Sequence, residues 1–325
     1  MIAVSPHLPS DRTVLTVLKK WASFVRLSHT VFALPFALAS MLVAAREQRG
    51  WPGIAIFCWI LVAMVSARTC AMAFNRIVDR RFDALNPRTA QRHLVTGQIG
   101  LSSAVTLCLI SAGGFLAATW ALNPLCFWLS PIALILVCFY SLTKRFTDYT
   151  HLWLGIALGI APLGAWLAVR GQFDFLAPGS LGVSWTAVRG GFLVPMTLAV
   201  AVVLWLFGFD LIYSTQDYEF DRTHGLHSLV VRWGPKNALT LAFLAHLLMW
   251  GVLVLFGVLN LFRLAYWLGL VVILGLLVAE HILARRRDVR SINIAFFKLN
   301  AVISLLFLAI VAVEVVFPWF KLRWY

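Results

Sequence analysis

Acidic residues are scarce in this 325-residue chain, and six of its 13 Asp and Glu residues fall in two short segments. The first segment contains Asn75, Asp79 and Asp83, which are four residues apart. The second contains Asp210, Tyr213, Asp217 and Asp221, at intervals of three, four and four residues. On an α-helix, which turns by about 100° per residue, such intervals keep the side chains on one face. Each segment is therefore predicted to present one acidic stripe.

Two such stripes favour a divalent cation over a merely solvated helix end. Clustered carboxylates repel one another unless a cation compensates their charge. Mg²⁺ takes one or two carboxylates, keeps several waters and completes its shell with phosphate oxygens of a substrate. The stripes could thus hold a diphosphate between them through Mg²⁺. The predicted metal ligands are Asn75, Asp79, Asp83, Asp217 and Asp221.

Cationic side chains surround these acids and are candidates for binding the anionic substrate. Arg68 lies inside an apolar run, seven residues before Asn75 and so on nearly the same helix face. An ionisable residue at such a depth needs a partner or a substrate. Arg26 is a second candidate, and the forked guanidinium suits a diphosphate or a carboxylate because it can bind either in two-point fashion.

The elements that must position these residues are membrane helices. The chain is 61% hydrophobic and 12% charged, with a mean hydropathy of +0.87, so much of its surface must face lipid. Apolar runs of about 20 residues, the length that crosses a bilayer as a helix, recur along the chain. Nine are predicted, at 24–45, 53–74, 102–121, 124–142, 150–169, 191–213, 237–259, 264–284 and 297–318. The expected fold class is an all-α integral membrane bundle, because lipid-exposed backbone must satisfy its own hydrogen bonds.

The distribution of positive charge predicts the orientation of this bundle. When termini and loops are assigned alternately to two sides, one side carries most of the 27 Lys and Arg residues, including those near both acidic segments. By the positive-inside rule that side is cytoplasmic, which places the N-terminus and both stripes there. The net charge of +14 is thus explained without a nucleic-acid partner. Residues 1–23 are predicted as a cytoplasmic segment, since the first apolar run is too long for a signal peptide, and 24–325 as the transmembrane domain.

Matched spacing also predicts an internal repeat. Asn75, Asp79 and Asp83 have the same intervals as Tyr213, Asp217 and Asp221 in the second segment. The two segments end the second and the sixth predicted helices. A duplicated four-helix unit, covering about 24–145 and 150–287, would account for this.

The pattern resembles a known family. Asn75-xxx-Asp79-xxx-Asp83, followed by Asn86-Pro-Arg88-Thr89, resembles the first signature of the UbiA superfamily of membrane prenyltransferases, and the second acidic segment resembles its second signature. Residues 26–37, 79–89 and 217–228 look like the 4-hydroxybenzoate polyprenyltransferase branch. A similar subgroup, associated with menaquinone synthesis through futalosine, is not separated from it. The segment His93–Gly97 departs from the loop usual in the branch, which leaves the acceptor open.

The resemblance implies a bacterial inner-membrane transferase with its active site facing the cytoplasm. It would use Mg²⁺ to move a polyprenyl group from a polyprenyl diphosphate to the ring of 4-hydroxybenzoate, ortho to the hydroxyl, in ubiquinone or menaquinone synthesis. Another aromatic acid, such as 6-hydroxy-2-naphthoate, is the alternative acceptor. The implied catalytic residues are Asp79, Asp83, Asp210, Tyr213, Asp217 and Asp221. The implied substrate-binding residues are Arg26, Arg68, Asn75, Arg88, Lys144 and Arg145.

An ion-coupled transporter is the competing function from another class, because acidic residues in membrane helices often bind coupling ions. Transporter sites tend to lie near the bilayer midplane, at broken helices. The carboxylates of both segments instead lie at predicted helix ends on one side, which favours the transferase.

Overall fold

A computed structural model describes residues 11–26, 30–174, 191–286 and 288–317, and within these ranges the regular structure is helical. The α-helices are α1 Asp11–Phe24, α2 Leu34–Ala44, α3 Ile54–Val78, α4 Arg80–Leu85, α5 Leu101–Leu122, α6 Pro124–Thr143, α7 Thr150–Arg170, α8 Leu193–Ser214, α9 Tyr218–Thr223, α10 Leu229–Asn260, α11 Leu264–Ala284, α12 Val289–Asn293 and α13 Asn300–Val316. A 3₁₀ turn at Thr215–Asp217 precedes α9, and a π-helical turn at Ile294–Leu299 precedes α13. Within the described ranges, eight helical segments are long and apolar enough to cross a membrane.

The first predicted span differs from the structure. Instead of one helix over 24–45, the chain forms α1 up to Phe24 and then α2, which begins only at Leu34 and has 11 residues. At 1.5 Å per residue α2 is about 17 Å long, short of the roughly 30 Å hydrocarbon core. The described residues therefore contain eight helices that could cross a membrane and one shorter apolar helix, α2, where nine spans were expected. Residues 1–10, 27–29, 175–190, 287 and 318–325 of the predicted segments lie outside the described ranges.

The long helices pack around α7 and α8. Helix α3 packs on α5, α8 packs on α7 and α10, and α2 packs on α7 and α13. Two glycines of α7 allow the closest approach: a Cβ at Gly155 would lie 2.7 Å from the backbone oxygen of Val203, and one at Gly159 would lie 2.6 Å from its Cγ2. Small residues permit such contacts in membrane bundles, where packing must replace the hydrophobic effect between helices.

A buried polar cluster fixes the C-terminal helices. The Trp205 indole Nε1 donates to Asn300 Oδ1 at 2.6 Å, and Asn300 Nδ2 donates to Glu280 Oε1 at 2.8 Å. All three residues are fully buried. Because unpaired polar groups are expensive in a dry interior, this chain of hydrogen bonds ties α8, α11 and α13 together.

The two acidic segments have the same local structure. Each follows a long helix, passes through a break in the helix and continues in a helix of six residues, α4 or α9. The predicted uninterrupted helical stripe is thus broken at Asp79 and at Asp217. Helical hydrogen bonds nevertheless bridge the first break, from Asp79 N–H to the Asn75 carbonyl at 2.9 Å and from Asp83 N–H to the Asp79 carbonyl at 2.8 Å. The predicted four-helix repeat remains a prediction.

Candidate active site

Both acidic segments line one cavity of about 610 Å³. The predicted site residues that line it are Arg26, Arg68, Asn75, Asp79, Asp83, Arg88, Lys144, Asp210, Tyr213, Asp217 and Asp221. Arg145 is the one predicted residue that does not. Away from the acids the wall is apolar, and the residues there include Ile60, Leu122, Leu129, Leu136 and Leu163. The cavity therefore has one charged end and an apolar remainder.

Asp79 is 3% exposed and is held by residues from two helix ends. Lys144 Nζ lies 2.9 Å from its Oδ2, and Asn75 Nδ2 donates to the same oxygen at 3.0 Å. Arg145 Nη2 lies 3.6 Å from Oδ1 and donates to the Val78 carbonyl at 2.7 Å. Oδ1 is thus a buried carboxylate oxygen without a hydrogen bond among the described residues.

Asp83 is neutralised from its own side of the site. Arg92 Nη1 lies 2.6 Å from both carboxylate oxygens of Asp83, which is 5% exposed. The Thr89 hydroxyl donates to the Asp83 backbone carbonyl at 3.0 Å. The loop that follows α4 is therefore folded back onto this residue.

The same loop reaches the second acidic segment through Arg88. Its Nε donates to Asp217 Oδ1 at 2.8 Å and its Nη2 to Oδ2 at 2.5 Å, while Nη1 donates to the Tyr213 hydroxyl at 2.8 Å. Asn86 Nδ2 adds a hydrogen bond to Asp217 Oδ1 at 3.2 Å. Burial lowers the pKa of Arg88, but the hydrogen bonds and the charge of Asp217 outweigh it, and the pKa lies above its ordinary value.

Two acids of the second segment have other surroundings. Asp210 Oδ2 lies 2.7 Å from Nδ1 of His151, a buried residue of α7. For Asp221, the described residues supply neither a hydrogen bond nor an ion pair to the carboxylate, although the residue lines the cavity. Asp221 therefore remains available to a ligand.

Charged or titratable residues of the cavity lining that are not among the predicted site residues include Arg76, Arg92, Tyr140, His151 and His227. His151 was not singled out, although a histidine inside an apolar span is a signal in itself. Arg76 counts, in the sequence, only as one of the many positive charges of the predicted cytoplasmic side. It is in fact in the last turn of α3, 5% exposed, and lines the cavity. Its position directly after Asn75 could have indicated this.

The donor set fits Mg²⁺. Carboxylates and an amide are the oxygen ligands that this ion prefers. The described residues contain no ready-made group of three or more His, Cys, Asp or Glu side chains arranged to bind a metal. Asp79 Oδ1 nevertheless lacks a hydrogen bond, and Asp221 lacks a cationic partner. These two carboxylates leave room for a cation that also carries phosphate ligands.

A second, more open cavity of about 470 Å³ adjoins the first. Its lining includes Arg26, Tyr213, Arg290, Phe296 and Lys298. Three of these residues, Arg26, Tyr213 and Phe296, line both cavities. The rings of Tyr213 and Phe296 stack at 4.1 Å. Burial lowers the pKa of Arg26. No acidic residue is among the described residues of this lining, so it suits an anion that carries an aromatic ring.

Comparisons with known proteins identify relatives of this chain. The 4-hydroxybenzoate octaprenyltransferase of Methylobacillus flagellatus is 33% identical over 186 residues, which cover 57% of this chain and 56% of the relative. That of Francisella tularensis subsp. mediasiatica is 27% identical, over 67% of this chain and 71% of the relative.

Solved structures share the fold. The apo structure of a UbiA homolog from Aeropyrum pernix K1 has a TM-score of 0.75 and 29% identity, covering 88% of this chain and 98% of that one. A UbiA homolog from Archaeoglobus fulgidus bound to GPP and Mg²⁺ has a TM-score of 0.67 and 20% identity, covering 91% and 99%. The model of the UbiA prenyltransferase family matches residues 33–306. The resemblance noted in the sequence is thereby confirmed, and the chain belongs to the UbiA prenyltransferase family.

Proposed function

We propose that this protein is a Mg²⁺-dependent enzyme that transfers a polyprenyl group from a polyprenyl diphosphate to the ring of 4-hydroxybenzoate, ortho to the hydroxyl, in quinone synthesis. The observation that carries the proposal is the convergence of two acidic segments on the charged end of one otherwise apolar cavity. The names of the curated relatives support this acceptor. The ligands of the Archaeoglobus homolog support the prenyl diphosphate and the metal.

The charged end would bind the diphosphate. Asn75, Asp79, Asp83, Asp217 and Asp221 would hold Mg²⁺, which when bound supplies charge that stabilises the departing diphosphate. Negative charge grows on the leaving oxygens as the bond to the prenyl carbon breaks. Preorganised cations are effective at such a place because they need no rearrangement during the reaction.

The cations proposed to contact the diphosphate are those that line the cavity. Arg68 and Lys144 lie on the walls beside the first segment, and Arg88 spans from the first segment to the second. Arg26 lies at the boundary with the second cavity. Arg145 instead donates to the Val78 carbonyl, so we assign it the role of bracing the end of α3 next to Asp79.

The apolar part of the cavity suits the prenyl chain and the allylic cation that its ionisation leaves. Water would quench such a cation, and an apolar wall keeps water away. The apolar lining, from Ile60 and Met64 of α3 to Leu163 of α7, provides a path for the prenyl chain among the helices.

The acceptor is proposed to bind between the two cavities. Its ring would lie near Tyr213, with its hydroxyl toward Asp210 and its carboxylate toward Arg26, Arg290 and Lys298. Arginine and lysine bind carboxylates by charge-assisted hydrogen bonds. The same placement accommodates 6-hydroxy-2-naphthoate, which also carries a hydroxyl and a carboxylate at opposite ends, and this acid is the alternative acceptor. The charge asymmetry of the loops supports an active site that faces the cytoplasm of a bacterial inner membrane.

The test is product analysis by mass spectrometry. Membranes that contain the protein receive Mg²⁺, a polyprenyl diphosphate and one of the two acids, with EDTA-treated membranes as the control. We expect prenylated 4-hydroxybenzoate in the presence of Mg²⁺ and none after EDTA treatment. Prenylated naphthoate alone would establish the alternative. A folded protein that gives neither product would overturn the proposed acceptors.

A further inference from the structure

His151 is a titratable group within a membrane span to which the proposed function assigns no task. Its Nδ1 lies 2.7 Å from Asp210 Oδ2. The His151 side chain is 4% exposed, whereas that of Asp210 is 21% exposed and lines the cavity beside Tyr213. Both side chains line the cavity, and that of Asp210 is the more exposed of the two.

When Asp210 is ionised, its contact with His151 has one hydrogen-bonding arrangement. A carboxylate oxygen accepts, so Nδ1 must carry the proton that it donates. His151 Nε2 is buried and has no hydrogen-bond partner among the described residues. An unpartnered ring nitrogen in a dry interior is unfavourable, which argues for a functional reason to keep a histidine there. The bond occupies one oxygen of Asp210, and the described residues leave its other oxygen without a hydrogen bond.

The packing of α7 on α8 imposes this short distance. Gly155 lies one turn after His151 on α7, and a Cβ there would come within 2.7 Å of the Val203 backbone oxygen on α8. Gly159, one turn further on, contacts the same valine. The glycines thus let two helix backbones approach closely and bring the imidazole against the carboxylate.

We propose that His151 is a positioning residue for Asp210, and that Asp210 accepts the hydroxyl proton of the aromatic acceptor. This inference rests on the proposed function. His151 holds Oδ2 and orients the free oxygen, Oδ1, toward the acceptor. An oriented carboxylate within reach of the hydroxyl makes the ring more nucleophilic at the ortho carbon, because the developing phenolate donates electrons into the ring.

The step balances as follows. The bond between the first prenyl carbon and oxygen breaks, its electron pair leaves with the diphosphate, and an allylic cation remains. The hydroxyl proton then moves to Asp210 Oδ1 while the ortho carbon forms its bond to the cationic prenyl carbon. The ring is then a dienone. The ortho proton leaves to the departed diphosphate, the ring regains its aromaticity, and the oxygen recovers the proton from Asp210. Asp210 returns as a carboxylate, and one proton leaves with the diphosphate.

A purely structural role for the pair is the competing explanation, since hydrogen bonds between helices also stabilise membrane bundles. Acceptors whose hydroxyl groups differ in acidity distinguish the two roles. A hydroxybenzoate with fluorine beside the hydroxyl ionises more readily and needs less help from a base. A structural defect would reduce the turnover of 4-hydroxybenzoate and of the fluorinated acceptor by the same factor.

The experiment compares two variants of the full-length protein in lipid nanodiscs. His151→Asn keeps an N–H donor near the position of Nδ1, and His151→Phe keeps the volume without the donor. With 4-hydroxybenzoate we expect His151→Phe to lower kcat by about 100-fold, a typical contribution of a positioned base, while His151→Asn stays within a few fold of wild type. The KM for the prenyl diphosphate should change by less than about twofold, since the affected group is not one of the residues placed around the diphosphate.

With 3-fluoro-4-hydroxybenzoate the deficit of His151→Phe should shrink to about tenfold or less. An equal deficit with both acceptors, or full activity of His151→Phe, would overturn the role of His151 while leaving the transferase intact. A wild-type protein that prenylates neither acceptor would instead remove the proposed function, and this inference with it.

Discussion

The guanidinium of Arg88 meets the carboxylate of Asp217 at two points, Nε to Oδ1 at 2.8 Å and Nη2 to Oδ2 at 2.5 Å. The residues are 129 positions apart in the chain. The contact joins the loop after the first acidic segment to the second segment. Its two-point geometry is specific to arginine, because lysine carries a single ammonium group.

Replacing Arg88 by lysine should therefore impair the site although the charge is kept. For Arg88→Lys we expect the KM for the polyprenyl diphosphate to rise about tenfold, the effect of one lost charge-assisted hydrogen bond. Arg222→Lys is the matched control, since Arg222 is exposed and does not line the cavity. Steady-state kinetics with varied diphosphate measure the effect. Equal KM values for the two variants would contradict a role of Arg88 at the diphosphate.

The acidic residues are expected to be essential for turnover. Asp79→Asn and Asp217→Asn each keep the size of the side chain but remove a charge from the proposed metal ligands. We expect kcat to fall by at least about 100-fold, since the lost charge acts on the leaving group. Asp148→Asn is the control, because Asp148 pairs with His227 and Arg232 without lining the cavity. If both Asn variants retain Mg²⁺-dependent turnover, the proposed metal site is wrong.

The close packing of α7 on α8 predicts a difference between two glycine substitutions in one helix. Gly155→Ala would bring a Cβ to 2.7 Å from the Val203 backbone oxygen, whereas a Cβ at Gly164 meets nothing within 4 Å. We expect Gly155→Ala to lower the free energy of unfolding by about 1–3 kcal/mol, as overpacking does. Gly164→Ala should be neutral or slightly stabilising, since alanine favours helix. Thermal unfolding in detergent ranks the variants. An unchanged Tm for Gly155→Ala would show that the contact between α7 and α8 tolerates the added methyl group.

The second cavity is predicted to recognise the carboxylate of the acceptor. Arg290→Gln and Lys298→Gln should each raise the KM for 4-hydroxybenzoate by about five- to tenfold, the range of a partly exposed charge-assisted contact. The KM for 4-hydroxybenzamide, which has no carboxylate, should hardly change. Arg286→Gln serves as the control, because Arg286 is exposed and outside the lining. Identical effects on the acid and the amide would exclude recognition of the carboxylate here.

The site could be predicted in large part because its geometry is encoded by local spacing. Intervals of three and four residues place Asn75, Asp79 and Asp83 on one side of the chain, and the structure brings them to the same cavity as Asp217. Helical hydrogen bonds across the break at Asp79 preserve this arrangement even though the helix ends there. Residue spacing therefore still predicts which side chains lie together, although the helix changes direction at Asp79.

Other features depend on contacts that a sequence does not display. The pairing of His151 with Asp210 links helices 59 positions apart, and it requires the close approach allowed by Gly155. The span prediction misses the late start of α2 at Leu34 because it rests on the overall length of the apolar run, although Arg26, Ser28, His29 and Thr30 interrupt it. The direction of the Arg145 side chain, toward the Val78 carbonyl, is likewise a tertiary property.

The ion pairs of the charged end have a consequence for what can bind there. Asp79, Asp83 and Asp217 each have a cation beside them, in Lys144, Arg92 and Arg88 respectively. A divalent ion that binds alone would displace such a cation and leave its charge without a partner in a poorly solvated site, which is unfavourable. An ion that arrives together with a diphosphate brings the anion on which the displaced cation can settle. Under the proposed function, binding would amount to an exchange of counter-ions, in which metal and diphosphate each raise the affinity for the other by the same factor.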